Sequence, residues 1–473
     1  MRKTKIVCTL GPASRDEETL QAMFDSGMNV GRLNFSHGTH EYHRETIELF
    51  RKVRDKNKVP AAVMLDTKGP EIRIRNFKDK KVLLEEGQEF TLYAEEKEGD
   101  KNGVSVTYDK LSEELEPGNR ILIDDGRISL EVLRCEGENV VCRVTNGGEV
   151  SDKKGINIPY VHINLPFLSE QDEKDLIFGV DMNVDFVAAS FVRSADDVIQ
   201  LRKFLDYYGG HDIKIISKIE NIDGVKNFDE ILMHSDGIMV ARGDMGVEIE
   251  YEKLPGLQKR FIRKCYESGK MVIIATQMLE SMIHNQTPTR AEITDIANAV
   301  FDGTSAIMLS GETAMGDHPA HVVRVMAKIA EQAEQDAFDM DIYREVQYLN
   351  DQEDTTNAIC DAACTMARDV EATAIIAVTK SGYTARRVSK FRPSQPIIAT
   401  TPVEKTYHQL ALSWGVYPIQ SLFQPDANVL FTHSVDCAKR YNYINTGDRV
   451  VITAGTDFTT DVLKLQTVTE ERK

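Results

Sequence analysis

The 473-residue chain has little of several features that would assign its class at once. It has no CxxC pair, and its seven cysteines (Cys8, Cys135, Cys142, Cys265, Cys360, Cys364 and Cys437) are odd in number and scattered. That pattern excludes a disulfide framework and leads us to expect a reducing compartment, the cytoplasm. Apolar runs are short; Met271–Thr276 falls far below the ~20 residues that span a bilayer. The start of the chain reaches Gly11-Pro12 before a signal-peptide core can form. Positive charge is scarce too: 57 Lys+Arg stand against 75 Asp+Glu, a net charge of −18. A broad nucleic-acid surface is therefore excluded, and no membrane partner is expected; a few local cations must hold any anionic ligand. Neither of the two common phosphate cradles, GxxxxGK[ST] and GxGxxG, occurs.

What is present is a repeated alternation. Short apolar runs at Lys5–Thr9, Met28–Leu33, Ala61–Leu65, Val184–Ala189, Ile213–Ser217, Gly237–Ala241, Met271–Ala275 and Ser305–Leu309 end in polar or glycine residues. Helical patterns such as Glu17–Ser26, His40–Lys56, Asp196–Tyr208 and Leu254–Ser268 lie between them. Runs that are apolar throughout suit parallel strands buried on both faces, and eight strand–helix units predict an α/β fold, a (β/α)8 TIM barrel. From Glu71 to about Phe167 the helical signals vanish and turn pairs (Pro117-Gly118, Asp125-Gly126, Asn146-Gly147) separate strand-like pieces. This stretch, 71–167, is predicted to be an inserted all-β domain, a β-barrel lid. The remainder, 1–70 and 168–345, has the ~250-residue length usual for such barrels. A new alternation beginning near Thr356 predicts a C-terminal α/β domain over 346–473.

The chemistry should gather where barrel strands end, because these folds place their sites there. Those ends are unusually polar: Arg32-Leu33-Asn34-Phe35-Ser36-His37, Asp66-Thr67-Lys68-Gly69, Lys218-Ile219-Glu220, Arg242-Gly243-Asp244, Thr276-Gln277 and Ser310-Gly311-Glu312. Strand alternation predicts that Arg32, Asn34 and Ser36 share a face, as do Lys218 and Glu220. Singly, each has a bland reading as a surface ion pair, a rim pair or a helix cap. Two arginines, a lysine and three carboxylates converging on one mouth would be costly without a charged ligand or metal. Glu220 and Asp244 are hard oxygen donors suited to Mg²⁺ or Mn²⁺. Arg242 to Gly246 should open a helix whose backbone N–H groups seat a small carboxylate. Arg32, Arg73 and Lys218 can neutralise a moving phosphoryl group, and Asn34, Ser36, Asp66 and Thr67 offer oxygens for a monovalent cation. His37, His40 and His43 are spaced around a helix rather than in a tetrahedral pocket, which argues against zinc.

These runs, MNVGRLNFSHG from Met28, DTKGPEIR from Asp66, KIISKIENIDGV from Lys214, MVARGDMGVEI from Met239, ATQMLESM from Ala275 and MLSGET from Met308, resemble the pyruvate kinase family. The likeness holds in the same order from Lys3 to beyond Gly455, and to the bacterial-type members without an extra C-terminal domain. It implies transfer of the phosphoryl group of phosphoenolpyruvate to ADP, giving pyruvate and ATP. By resemblance, Lys218 and Arg32 hold the phosphoryl group, Glu220 and Asp244 bind Mg²⁺, and Gly243, Asp244 and Thr276 seat the carboxylate. Thr276 also helps deliver a proton to the enolate carbon. Asn34, Ser36, Asp66 and Thr67 would hold K⁺; Asn34, His37, Arg73 and Lys154 would line the nucleotide side. Glu71 matches the K⁺-dependent branch, although Ile74 stands where that branch has threonine. The loop Thr379, Lys380, Ser381, Gly382 and Thr384, between a strand and a helix, would be the phosphate nest of an allosteric effector. Asp457, in Ala454–Phe458, would repel a second phosphate. A homotetramer is implied by the family alone. One rival reading is a Schiff-base lyase or aldolase working through Lys218, which requires a neutral lysine. Another is a metabolite sensor with an inert barrel.

Overall fold

The computed structural model describes residues 1–343, 354–424, 426–455 and 460–470. Eight parallel strands, Lys5–Thr9, Val30–Asn34, Ala62–Asp66, Phe186–Ala189, Lys214–Ile219, Gly237–Ala241, Met271–Ala275 and Ala306–Leu309, close into a barrel in chain order. The first strand returns to the last with Lys5 opposite Ala306. Side-chain alternation splits each strand between two apolar layers. Val7, Val30, Met64, Phe186, Ile216, Met239, Ile273 and Met308 fill the barrel interior, while Ile6, Cys8, Leu65, Val187, Ile215 and Ile274 face the surrounding helices. Strand boundaries differ from the sequence-based ranges by two residues at most, as the apolar runs themselves define the strands.

The inserted segment forms a seven-stranded sheet ordered Ile72–Arg73, Gly155–Asn157, Arg120–Ile123, Ile128–Glu136, Asn139–Asn146, Glu89–Tyr93, Gly103–Ser105. An isolated bridge between Ile74 and Val106 joins the two ends of that order. Its core, built on Phe90, Leu92, Ile121, Leu130 and Val140, is separate from the barrel's. One sequence-based expectation needs correction here: a helical turn, Leu111–Glu114, stands in a stretch expected to be free of helix.

The C-terminal residues build a five-stranded sheet ordered Val416–Gln420, Ile397–Thr401, Ala374–Val378, Arg449–Gly455, Thr460–Thr467. Four strands run parallel and the last is antiparallel, so the sheet is doubly wound except at one edge. Helices Thr355–Asp369 and Tyr383–Lys390 cover one face and Ala427–Arg440 the other. Leu412 reaches from this unit into the barrel's inner layer. Among the described residues, no helix is long and apolar enough to cross a membrane.

Candidate active site

The polar strand ends meet as one buried network. Lys218, 8 % exposed, donates to Ser190 Oγ at 2.7 Å and Asp66 Oδ1 at 3.0 Å, and its ammonium lies 3.0 Å from Glu220 Oε1. Arg32 Nε donates to Asp66 Oδ2 at 2.5 Å and its NH1 to Thr9 Oγ1 at 2.8 Å. Adjacent-strand register accounts for these contacts: Arg32 lies opposite Met64, Asn34 opposite Asp66, and Asp66 opposite Ala188, two residues before Ser190.

Electrostatics follow from that packing. Burial works against the charged Lys218, but Asp66 and then Glu220 outweigh it and hold the ammonium above the ordinary lysine range. Asp66 stays ionised below its usual value because Arg32 and Lys218 overcome its burial. Burial pushes Glu220 up to about 7, with Lys218 opposing and Asp244 adding to the rise. Asp244 is raised by burial as well, and its carboxyl lies within hydrogen-bonding reach of Glu220. A buried and a partly buried carboxylate, adjacent and both protonation-prone, suit a hard divalent cation, because that ion offsets both their burial and their mutual repulsion. No group of three or more potential ligands is gathered among the described residues, so water and substrate oxygens would complete the shell of such an ion.

The seventh strand ends in strain. Thr276 and Gln277 take φ of 69° and 56°, a conformation that a β-branched residue rarely adopts and that clusters at functional sites. Arg242 holds this turn: its Nε donates to Ala275 O at 3.2 Å, its NH2 to Thr276 O at 2.5 Å, and its NH1 to Asp295 Oδ2 at 2.6 Å. Thr276 Oγ1 in turn accepts from Gly243 N at 2.8 Å and donates to Ala275 O at 2.6 Å.

Several expectations change. The strand stops at Asn34, and Ser36 lies in a turn where its N–H donates to Asn34 Oδ1 at 3.1 Å, so it does not share the strand face of Arg32. Arg242 serves Asp295 and the Thr276 turn instead of entering the mouth. Glu312 is fully buried and accepts from Ser310 N and Leu279 N, which makes it part of the scaffold. The Gly243 amide is occupied by Thr276. Helix Arg242–Glu248 begins where expected, but Asp244 does not cap it. His40 pairs with Asp175 and His43 with the His37 carbonyl, which separates the three histidines.

His37, Arg73, Lys154 and Asp244 line a cavity of about 480 Å³ between the barrel mouth and the inserted sheet. Within it Arg73 is paired with Glu71 at 2.7 Å and Lys154 with Asp124 at 2.8 Å, so Arg73 stands apart from the Arg32–Lys218 network. Three residues of this region escaped sequence reasoning. Ser190 fixes Lys218; Glu248, pushed up to about 7 by burial, accepts from Ile222 N and from Asn157 of the inserted sheet. Arg193 donates to the carbonyls of Ile163 and Leu165 on the connector returning from that sheet. Ser190 directly follows a predicted strand, so the strand-end rule points to it.

In the C-terminal unit, Thr379 to Gly382 link strand Ala374–Val378 to helix Tyr383–Lys390; Gly382, at φ 80°, donates its N–H to Thr379 Oγ1 at 3.0 Å. Thr384 pairs with Thr460. The expectation for Asp457 lies outside the described residues.

The chain matches two family models, "Pyruvate kinase, barrel domain" over residues 1–323 and "Pyruvate kinase, alpha/beta domain" over 357–466. It is 50 % identical over 473 residues to the pyruvate kinase of Clostridium acetobutylicum, covering 99 % of this chain and 100 % of that one. It is 45 % identical over 477 residues to that of Clostridium perfringens, at 99 % and 100 % coverage. Against that of Staphylococcus haemolyticus it is 46 % identical over 485 residues, covering 100 % of this chain and 81 % of the relative.

Proposed function

The chain belongs to the pyruvate kinase family, and from that premise we propose that it transfers the phosphoryl group of phosphoenolpyruvate to ADP, yielding pyruvate and ATP. The observation that carries this reading is the charged, buried Lys218 held among Asp66, Glu220 and Ser190, with Arg32 beside it. Such a fixed pair of cations meets the peripheral oxygens of a transferring phosphoryl group without reorganising. Lys218 would then stabilise the enolate oxygen left behind. The Asp244 amide and Thr276 would seat the substrate carboxylate, and the Thr276 hydroxyl, held in its strained turn, would help carry a proton to the enolate carbon. Mg²⁺ or Mn²⁺ would be held by Glu220 and Asp244 and would supply further neutralisation of phosphate oxygens. Asn34, Ser36, Asp66 and Thr67 would hold K⁺, whose contribution is one more positive charge.

Asn34, His37, Arg73 and Lys154 form the proposed nucleotide side, and residues 71–167 the lid whose closure excludes water from the transfer. Residues 346–473 are read as a regulatory unit whose Thr379–Thr384 loop takes a phosphorylated effector, in a cytoplasmic homotetramer. A Schiff-base lyase needs a neutral lysine, and Asp66 and Glu220 stabilise the opposite state of Lys218.

The test is a coupled assay of phosphoenolpyruvate and ADP turnover, run with K⁺ or tetramethylammonium and with a panel of sugar phosphates. Turnover that collapses in tetramethylammonium supports the assignment; absent turnover under all conditions, or borohydride trapping of pyruvate on Lys218, overturns it.

A further inference from the structure

Far from the barrel mouth, at the junction of barrel and C-terminal sheet, lies a second concentration of positive charge. Lys270, Arg386, Lys390 and Arg392 line a small cavity together with Ser413 and Trp414, and no carboxylate among the described residues lines it. Arg392 is 6 % exposed, Ser413 2 % and Trp414 1 %. The Arg392 guanidinium donates through NH1 to Ser389 O at 2.6 Å and through NH2 to Gly303 O at 2.8 Å. It lies 4.6 Å from the Trp414 ring centroid and 5.5 Å from that of Tyr266. Among the described residues it meets no carboxylate. Its Nε, the Trp414 indole N–H and the Ser413 hydroxyl are all buried without a hydrogen-bond partner among the described residues.

A buried cation left without a counter-charge is costly, and carbonyl and ring contacts offset only part of that cost. Orphaned buried polar groups normally have a partner that protein atoms alone do not reveal. A water could accept these donors, but it would then have to place its own two protons. Indole and guanidinium N–H groups cannot receive them, and the Ser413 hydroxyl offers an acceptor for one of the two only by giving up its own role as donor to the occupant. An anion needs donors alone, and cationic walls favour it further. The cavity's volume, about 10 Å³, gives room for one small occupant rather than a metabolite.

We infer that this junction cavity is a binding site for a single halide-sized inorganic anion, held by Arg392, Ser413 and Trp414. The walls come from both sides of the junction: Lys270 precedes the barrel strand Met271–Ala275, while Arg386 lies on helix Tyr383–Lys390, directly after the Thr379–Gly382 loop. A bound anion would therefore cement the C-terminal unit to the barrel, independently of whether the barrel is catalytic.

Trp414 is the sole tryptophan of the chain, so tryptophan fluorescence reports on this junction alone. The full-length protein is titrated with sodium bromide replacing sodium gluconate at constant ionic strength. The expected result is saturable quenching, a rising melting temperature, and an anomalous bromine peak in the cavity of bromide-soaked crystals. Ser413→Ala, which spares the buried charge, should raise the half-saturating bromide concentration by about tenfold or more. Arg392→Gln should abolish saturation; if it fails to fold, Ser413→Ala decides the matter. Weak, non-saturating quenching identical in wild type and Ser413→Ala, with no bromine peak, overturns the inference and leaves a water as the occupant.

Discussion

Replacing Lys218 by methionine is the most direct perturbation of the proposed chemistry, because an unbranched side chain of nearly the same length remains while the ammonium, with its charge and its hydrogen bonds, is lost. In the structure the ammonium meets Asp66 Oδ1 and Glu220 Oε1, each at 3.0 Å, and Ser190 Oγ at 2.7 Å. Removing one member of a buried ion cluster costs about 3–5 kcal/mol, as the remaining charges lose their compensation. Asp66 retains Arg32, so the lower end of that range applies. Glu220 loses its one opposing cation and should bind its proton more tightly still. Loss of a preorganised donor at a developing anion lowers kcat by about 10²–10³, and Lys218 would supply a full charge as well, so a fall of at least 10³ is expected. KM for phosphoenolpyruvate should change far less, because Arg32 and the carboxylate seat remain. Steady-state turnover in the coupled assay, with near-ultraviolet circular dichroism as the control for folding, measures both effects. A folded Lys218→Met enzyme whose kcat lies within tenfold of wild type would refute the assigned role.

Three further outcomes follow from the geometry. Because burial holds Glu220 near 7, Mg²⁺ must displace a proton below that pH; its apparent affinity should climb with pH and level off above about 7. Calorimetry in buffers of different ionisation enthalpy detects the released proton, and equal affinities at pH 6 and 8 would contradict this. Glu248, also held near 7, favours the folded state fully below the unfolded value of about 4.5, and that contribution fades as pH rises through 7. Glu248→Gln keeps its carbonyl oxygen as acceptor for Ile222 N, and its NH2 can donate to the Asn157 carboxamide oxygen once that amide turns over, so it should gain at most about 3 kcal/mol over wild type at pH 8 and nothing near pH 4.5; a variant less stable at pH 8 would count against the reading. Arg242→Lys cannot reach Ala275 O, Thr276 O and Asp295 together, so Thr276 should relax from φ 69° and kcat fall about 10²-fold with the fold intact; undiminished kcat would show that the turn holds itself.

Much of this arrangement is legible in the sequence because the barrel writes it locally. Apolar runs define the strands, and the polar residues that end them must lie at the mouth; Lys218, Glu220 and Asp66 are found this way. Where prediction failed, a contact between segments had redirected the chain. Phe35 N bonds to Asp66 O and Asn34 Oδ1 takes the Ser36 N–H, so the strand ends at Asn34, two residues before the Ser36 that the alternation would have placed on its face. Helix Arg242–Glu248 starts at Arg242 itself, which turns that side chain toward Asp295, 53 residues on, away from the mouth. Ser190, after two alanines, is flagged by the strand-end rule as lying at the mouth, but its hold on Lys218 shows only once register sets it beside Asp66. The junction cations around Arg392 carry no local signal, since their convergence depends on how two units meet.

The charge balance of the mouth explains why the proposed metal and substrate should depend on one another. Arg32 and Lys218 face Asp66, Glu220 and Asp244, leaving one negative charge in excess when all are ionised. A trianionic or dianionic substrate approaching that set alone would be repelled, and burial, which raises both Glu220 and Asp244, already works against their charged forms. A divalent cation at those two carboxylates reverses the sign, leaving one positive charge in excess, and only then does the mouth attract a phosphoryl group. Linkage makes the effect mutual: whatever factor the cation adds to substrate affinity, the substrate must add to cation affinity. The coupling should be lost in Glu220→Gln, which removes the excess charge without needing the ion, and substrate affinity in that variant should become nearly independent of Mg²⁺. Equal Mg²⁺ dependence in both proteins would place the cation elsewhere than between Glu220 and Asp244.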